Sequence, residues 1–311
     1  MAAHNAADRL ARGHGAAGAR RVASVPKPLS SGVPEVESVE GYLELEGGRV
    51  HLSRGGSGEP VLFLHAAGGA GTWPEFHALL SEQFDVIAPD HPGFGKSDEF
   101  PQLTAIDDLV YHYLDVMDAV GLDRPHVVGA SFGGWIAAEL AVHSPHRIGS
   151  LTLLSAAGLR VAGHPVPDIF LTPPSRLGEL LFHNPPPAPP SEGPPDIDQV
   201  LAAYRDATAL ARFCWVPYLH DPKLERRLRR ISAPTLVAAP DDDRLIPVAH
   251  ARRYAELIPG ATFAMVADCG HAMYFEKPAD FASLVATFLG EHSLSEHSLG
   301  EHSHSENGAA S

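Results

Sequence analysis

One stretch constrains the chain more than any other: Val127-Val128-Gly129-Ala130-Ser131-Phe132-Gly133-Gly134. A short apolar run, Pro125 to Gly129, reads as a buried strand, and a helical pattern, Trp135 to His143, follows at once. A strand that turns straight into a helix strains the backbone of its apex residue, here Ser131, and side chains two positions either side would clash. Glycines at 129 and 133 remove that bulk. The turn is expected to lift the Ser131 hydroxyl off a sheet and onto a helix N-terminus, where backbone N–H groups favour a developing anion. Because the chain has 29 glycines, the pentapeptide alone could be a turn that does no chemistry. Its setting between strand and helix favours a nucleophile.

The surrounding pattern repeats that alternation. Tyr42–Glu46 and Arg49–Ser53 alternate apolar and polar across Gly47-Gly48, as a hairpin does. Pro60–Leu64, Asp85–Ala88, Ile148–Leu154, Pro234–Ala239 and Ala261–Val266 read as further strands, and Pro60–Leu64 is apolar throughout, as expected of a strand covered on both faces. Helices are predicted from a Thr72 cap to about Gln83, from Thr104 to Val120 with Gly121 as its stop, and after the last two strands. Strands alternating with helices imply an α/β fold, a mostly parallel twisted sheet flanked by helices.

The rhythm breaks between residues 159 and 226. Prolines punctuate this stretch, with helical patches at Ser175–Phe182, Ile197–Tyr218 and Lys223–Arg230. Its apolar residues, among them Leu180, Phe182, Tyr204, Phe213, Trp215 and Tyr218, exceed what a solvated linker needs. We read it as a helical cap inserted after the sixth strand, over a core of residues 36–158 and 227–290. Residues 1–35 are poor in acids and aperiodic and are expected to be a disordered leader, with a transit peptide as the competing reading. Residues 291–311, with their Gly/Ser-Glu-His-Ser repeat, are expected to be a disordered tail with at most loose metal affinity.

A net charge of −15 without a basic stripe argues against nucleic acid. No apolar run approaches the roughly 20 residues of a membrane span, so no membrane partner is expected. Two cysteines make no disulfide framework and fit a reducing, cytoplasmic setting.

Parallel strands deliver their C-terminal ends to one edge, where ligands bind. Ser131, Asp243 and His271 each follow a strand there, in the order Ser, Asp, His. A serine hydroxyl needs a base within reach and a group that orients the base. Ser131 is therefore the expected nucleophile, His271 the base and Asp243 the orienting acid, with Asp241 and Asp242 as rivals for the last role. Cys269, on no elbow, is the weaker nucleophile candidate. The N–H groups of Phe132 and Ala67 are expected to form an oxyanion hole. Ala66, Trp135, Phe182, Phe213 and Trp215 are the expected substrate contacts, helix packing being the competing role for Trp135. Arg160, Arg176, Arg205 and Arg212 could meet an anionic substrate. His65 and His91, on loops at the same edge, are expected to make structural hydrogen bonds.

Over residues 40–290 the chain resembles the α/β-hydrolase superfamily. The resemblance rests on Leu64-His65-x-x-Gly68-Gly69, Asp90-x-Pro-Gly-x-Gly-x-Ser97, Gly129-x-Ser-x-Gly-Gly134, Asp243-x-x-x-Pro247 and Gly270-His271-x-x-x-x-Glu276-x-Pro278. It implies a serine hydrolase acting on a small-molecule carboxylic ester, lactone or related carbonyl compound, with no metal or organic cofactor. Ser131 sets the chain apart from dehalogenases and epoxide hydrolases, whose nucleophile is Asp. Hydrolysis of a carbon–carbon bond in a β-diketone-like substrate is the nearest alternative, a perhydrolase-like activity a further one, and a non-catalytic receptor on the same fold a third. Two departures stand out: Ala66 where the family has Gly, and Pro240 where it has Gly. The first is expected to alter the oxyanion-hole backbone and the second to shift the loop of Asp243. The residues leave the oligomeric state open.

Overall fold

A computed structural model describes residues 38–185 and 196–294. The predicted leader, all of the tail beyond Leu294 and the proline run at 186–195 lie outside the described residues. Eight strands form one sheet: β1 (Val39–Leu45), β2 (Gly48–Gly55), β3 (Glu59–Leu64), β4 (Phe84–Pro89), β5 (His126–Ala130), β6 (Ser150–Leu154), β7 (Thr235–Pro240) and β8 (Thr262–Val266). Their order is β1-β2-β4-β3-β5-β6-β7-β8. β1, β2 and β4 pair antiparallel, and every pair from β4 to β8 is parallel.

Burial explains the sequence of the central strands. All five residues of both β5 and β6 are buried, so each face needs a covering layer. One layer holds α2 (Ile106–Val120), α3 (Phe132–His143) and α7 (Val248–Leu257). The other holds α1 (Glu75–Ser81), α8 (Met273–Glu276) and α9 (Pro278–Glu291). Burying a valine such as Val127 or Val128, both 0% exposed, contributes about 1.5–3 kcal/mol. The cap follows β6, as expected, and carries α4 (Pro174–Leu181) and α5 (Ile197–Cys214), with a short α6 (Leu224–Arg227) leading back to β7. No helix among the described residues is long and apolar enough to cross a membrane.

Local chemistry moves three predicted boundaries. The hairpin register pairs Leu45 with Gly48, so Glu46 and Gly47 make the turn, Gly47 taking the positive φ of 100° that it requires. Thr72 caps no helix: its hydroxyl donates to the Gly69 carbonyl at 2.7 Å, and α1 begins after Pro74. Helix α2 starts two residues later than Thr104, because the Asp108 carboxylate accepts the N–H groups of Thr104 (2.8 Å) and Ala105 (3.0 Å) ahead of the first turn. Its end is as predicted: Gly121 adopts a left-handed φ of 77°.

Candidate active site

β5 carries Ser131 to the C-terminal edge of the sheet. Ser131 has φ 52° and ψ −112°, a strained backbone for a residue with a side chain. A Cβ at 133 would stand 2.2 Å from the Leu64 carbonyl oxygen, and one at 129 would stand 2.4 Å from that of Gly133. The two glycines thus let α3 pack directly on β3 and β5. The Ser131 N–H donates to Leu154 O at 2.8 Å, which fixes the elbow to β6.

The three expected side chains meet. His271 Nε2 lies 2.9 Å from Ser131 Oγ, and His271 Nδ1 lies 2.8 Å from Asp243 Oδ2. All three residues are buried. The other Asp243 oxygen accepts the N–H groups of Leu245 (3.0 Å) and Ile246 (2.7 Å). The ring therefore presents Nδ1–H to the carboxylate and a bare Nε2 to the hydroxyl, the tautomer a general base needs.

The rival acids are engaged elsewhere. Asp241 accepts the Cys269 N–H, and Asp242 pairs with His183 and Arg244. Cys269 is fully buried, which pushes its thiol up to about 12 and keeps it protonated, so it is no nucleophile.

Phe132 is the first residue of α3, so its N–H has no acceptor within the helix and is available beside Ser131. Ala66 and Ala67 line the same space. Ala66 is not among the residues at positive φ; Gly69 (92°) and Gly71 (65°) provide the left-handed turns in this loop. The alanine is therefore accommodated without strain. Pro240 ends β7 opposite Val266, and the loop beyond it still brings Asp243 to the histidine.

A hydrogen-bonded base supports that loop. Asp90 accepts the N–H groups of Gly71 (2.6 Å) and Lys96 (2.9 Å) and the His51 Nδ1–H (2.9 Å). Beneath Ala66, His65 Nδ1–H donates to the Ala66 carbonyl and its Nε2 accepts the His91 N–H at 2.9 Å. His91 Nε2–H donates to the His65 carbonyl at 2.8 Å, and its Nδ1 accepts the Tyr113 hydroxyl. Burial lowers the pKa of both histidines, that of His91 strongly, and burial raises Tyr113 well above its usual value.

The triad opens into a cavity of about 450 Å³ between core and cap. Ala66, Phe182 and Phe132 line it, together with Ile169, Phe170, Leu177, Leu210, Ile246 and Phe275, which sequence reasoning missed. Three expected contacts do not line it. Trp135 is buried in α3, its Nε1–H 3.3 Å from Glu139 and its ring seated on Gly158, where a Cβ would come within 2.5 Å. Phe213 packs its ring 6.4 Å from that of Phe132, behind the cavity wall. Trp215 is 56% exposed and covers Phe170 from outside.

The four cap arginines are also elsewhere. Arg160 is exposed and Arg176 pairs with Glu179. Arg205 donates to the carbonyls of Gly95 and Ser97, and Arg212 pairs with Glu99. The cap's second attachment is Glu276, whose carboxylate accepts N–H groups from Gly270 (2.7 Å), His183 (3.1 Å) and Asn184 (3.0 Å). This joins the histidine loop to the end of α4.

Residues 61–284 match the model of an alpha/beta hydrolase family. The acetyltransferase component of an acetoin cleaving system from Cupriavidus necator is 32% identical over 80% of this chain and 68% of its own length. A 2-hydroxy-6-oxononadienedioate/2-hydroxy-6-oxononatrienedioate hydrolase from Paraburkholderia phymatum is 29% identical over 82% and 95%. Among solved structures, a bacterial membrane phospholipase A superposes with a TM-score of 0.69 at 26% identity, over 82% of this chain and 86% of its own. A 2-hydroxy-6-oxo-6-phenylhexa-2,4-dienoate hydrolase from Rhodococcus superposes at 0.66, over 82% and 99%; at 23% identity that likeness shows the fold.

Proposed function

From the premise that the chain belongs to the α/β-hydrolase family, we propose that it is a serine hydrolase that cleaves a small carboxylic ester through an acyl-enzyme. The observation that carries this reading is the hydrogen-bonded line Asp243–His271–Ser131, which ends in an apolar cavity. Ser131 Oγ attacks the ester carbonyl as His271 Nε2 takes its proton. The N–H groups of Phe132 and Ala67 receive the charge on the carbonyl oxygen. His271 then returns the proton to the leaving alkoxide. Water, deprotonated by the same nitrogen, releases the acid and frees Ser131.

Carbon–carbon bond hydrolysis is the second reading, favoured by the dienoate hydrolases among the relatives. Their substrates are named as carboxylates. No lysine or arginine lines the cavity among the described residues, so an anionic substrate finds no ion-pair partner there. That difference supports the ester reading.

A fluorophosphonate probe should label wild type and leave Ser131→Ala unlabelled. p-Nitrophenyl esters of graded chain length should turn over in wild type and fall at least 10³-fold in Ser131→Ala. No turnover at any length, with cleavage of a vinylogous diketone, would establish the second reading instead. Ligand binding without labelling would indicate a receptor.

A further inference from the structure

Among the described residues Asp206 is the one carboxylate on the cavity wall, projecting from α5 among otherwise apolar cap residues. Oδ1 accepts the Gly95 N–H at 3.1 Å. No ion pair involves Asp206 among the described residues. Its neighbour Arg205 spends its guanidinium on the Gly95 and Ser97 carbonyls rather than on an ion pair with Asp206. A partly buried carboxylate held by one backbone donor is incompletely compensated, and a cation brought to it gains more than it would in water. An anion brought to the same wall meets repulsion and finds no lysine or arginine among the lining residues that are described.

Resting on the ester reading, we propose that Asp206 selects esters carrying a cationic amine and sets the enzyme against esters carrying a carboxylate. The discriminating charge can lie on the acyl or the alkoxy side of the ester, since the cavity extends beyond Ser131 under the cap.

The test uses matched esters with a terminal ammonium, carboxylate or methyl group, each tried on both sides. Wild type should favour ammonium over carboxylate by about tenfold or more in kcat/KM on one side, an effect sized for a partly solvated charge pair. Asp206→Asn keeps an oxygen for the Gly95 N–H and removes only the charge. It should bring the ratio close to one, and Asp206→Glu should restore most of it. A purely structural Asp206 would change both substrates alike and leave the ratio standing. An unchanged ratio in Asp206→Asn overturns the proposal. If that variant does not fold, wild type decides: equal turnover of ammonium and carboxylate esters overturns it as well. The methyl ester separates the two readings, because its failure in wild type sinks ester hydrolysis itself, whereas its turnover with no charge preference sinks only the role of Asp206.

Discussion

His271 and His91 make an informative pair. Both are almost fully buried, both follow the C-terminal end of a strand, and both have each ring nitrogen in a hydrogen bond. Their partners differ. His271 stands between a carboxylate and a hydroxyl that opens on the cavity, so a proton taken from Ser131 leaves a positive ring beside Asp243. His91 stands between a hydroxyl that donates and a backbone carbonyl that accepts, and neither offers the charge that a protonated ring would need. Burial then holds His91 neutral. Burial alone therefore does not mark a base. The chemistry at the second nitrogen does.

The sharpest way to break this contrast is to neutralise the partner of His271. Asp243→Asn keeps shape but asks Nδ1 to accept, which turns the Nε2 proton toward Ser131. We expect kcat to fall about 10⁴-fold with little loss of folding. Asp242→Asn, one residue away, loses contacts to Arg244 and His183 on the cap and should cost less than about tenfold. Comparable losses in the two variants would mean the wrong acid has been assigned.

A smaller effect is expected on the other side of the comparison. His91→Phe removes the donor to His65 O and leaves the buried Tyr113 hydroxyl without its acceptor. Leaving a buried polar group unpaired costs about 1–3 kcal/mol. The loop of Ala66 and Ala67 would loosen, so kcat should drop about tenfold, as for a partly misaligned oxyanion donor. Urea unfolding and ester kinetics on the same preparation check both parts. Full activity with lowered stability would make the histidine pair a matter of folding only.

The triad was legible because its geometry is encoded by local rules: a glycine-flanked apex, an acid and a histidine, each just past a strand. The same is true of Gly95 in the motif at 90–97, where a Cβ would stand 2.4 Å from Asp90 Oδ2. The cavity wall was not legible in the same way. Phe213 and Trp215 lie on or beside α5, and their position relative to the core depends on how that helix docks through Arg205, Asp206 and Arg212. Those contacts span more than a hundred residues and leave no periodic trace. Counting aromatic and basic residues as pocket candidates therefore missed Ile169 and Leu177 and passed over Asp206, which lines the cavity with no lysine or arginine beside it on that wall among the described residues.

The comparison extends to a histidine with no hydrogen-bond partner among the described residues. Neither ring nitrogen of His77 has a hydrogen bond among the described residues, and its ring lies edge-on to Phe63 at 4.4 Å and beside Trp73 at 5.1 Å. Burial lowers it to about 3, and His112, with Nε2 unpartnered, to about 4. The unfolded chain binds protons at these sites as pH falls through about 6.5, while the folded chain does not. Stability from their neutrality is therefore complete above that pH and is lost steadily down to the folded values. Between pH 7 and pH 5 each should remove on the order of 2 kcal/mol. His77→Phe keeps a ring against Phe63 and has nothing to titrate, so its unfolding free energy should fall by about 2 kcal/mol less than that of wild type over the same interval. Urea titrations at pH 5, 6 and 7 would show it. Parallel acid slopes in the two proteins would mean that water reaches His77 in the folded state and that its ring is not isolated from protons.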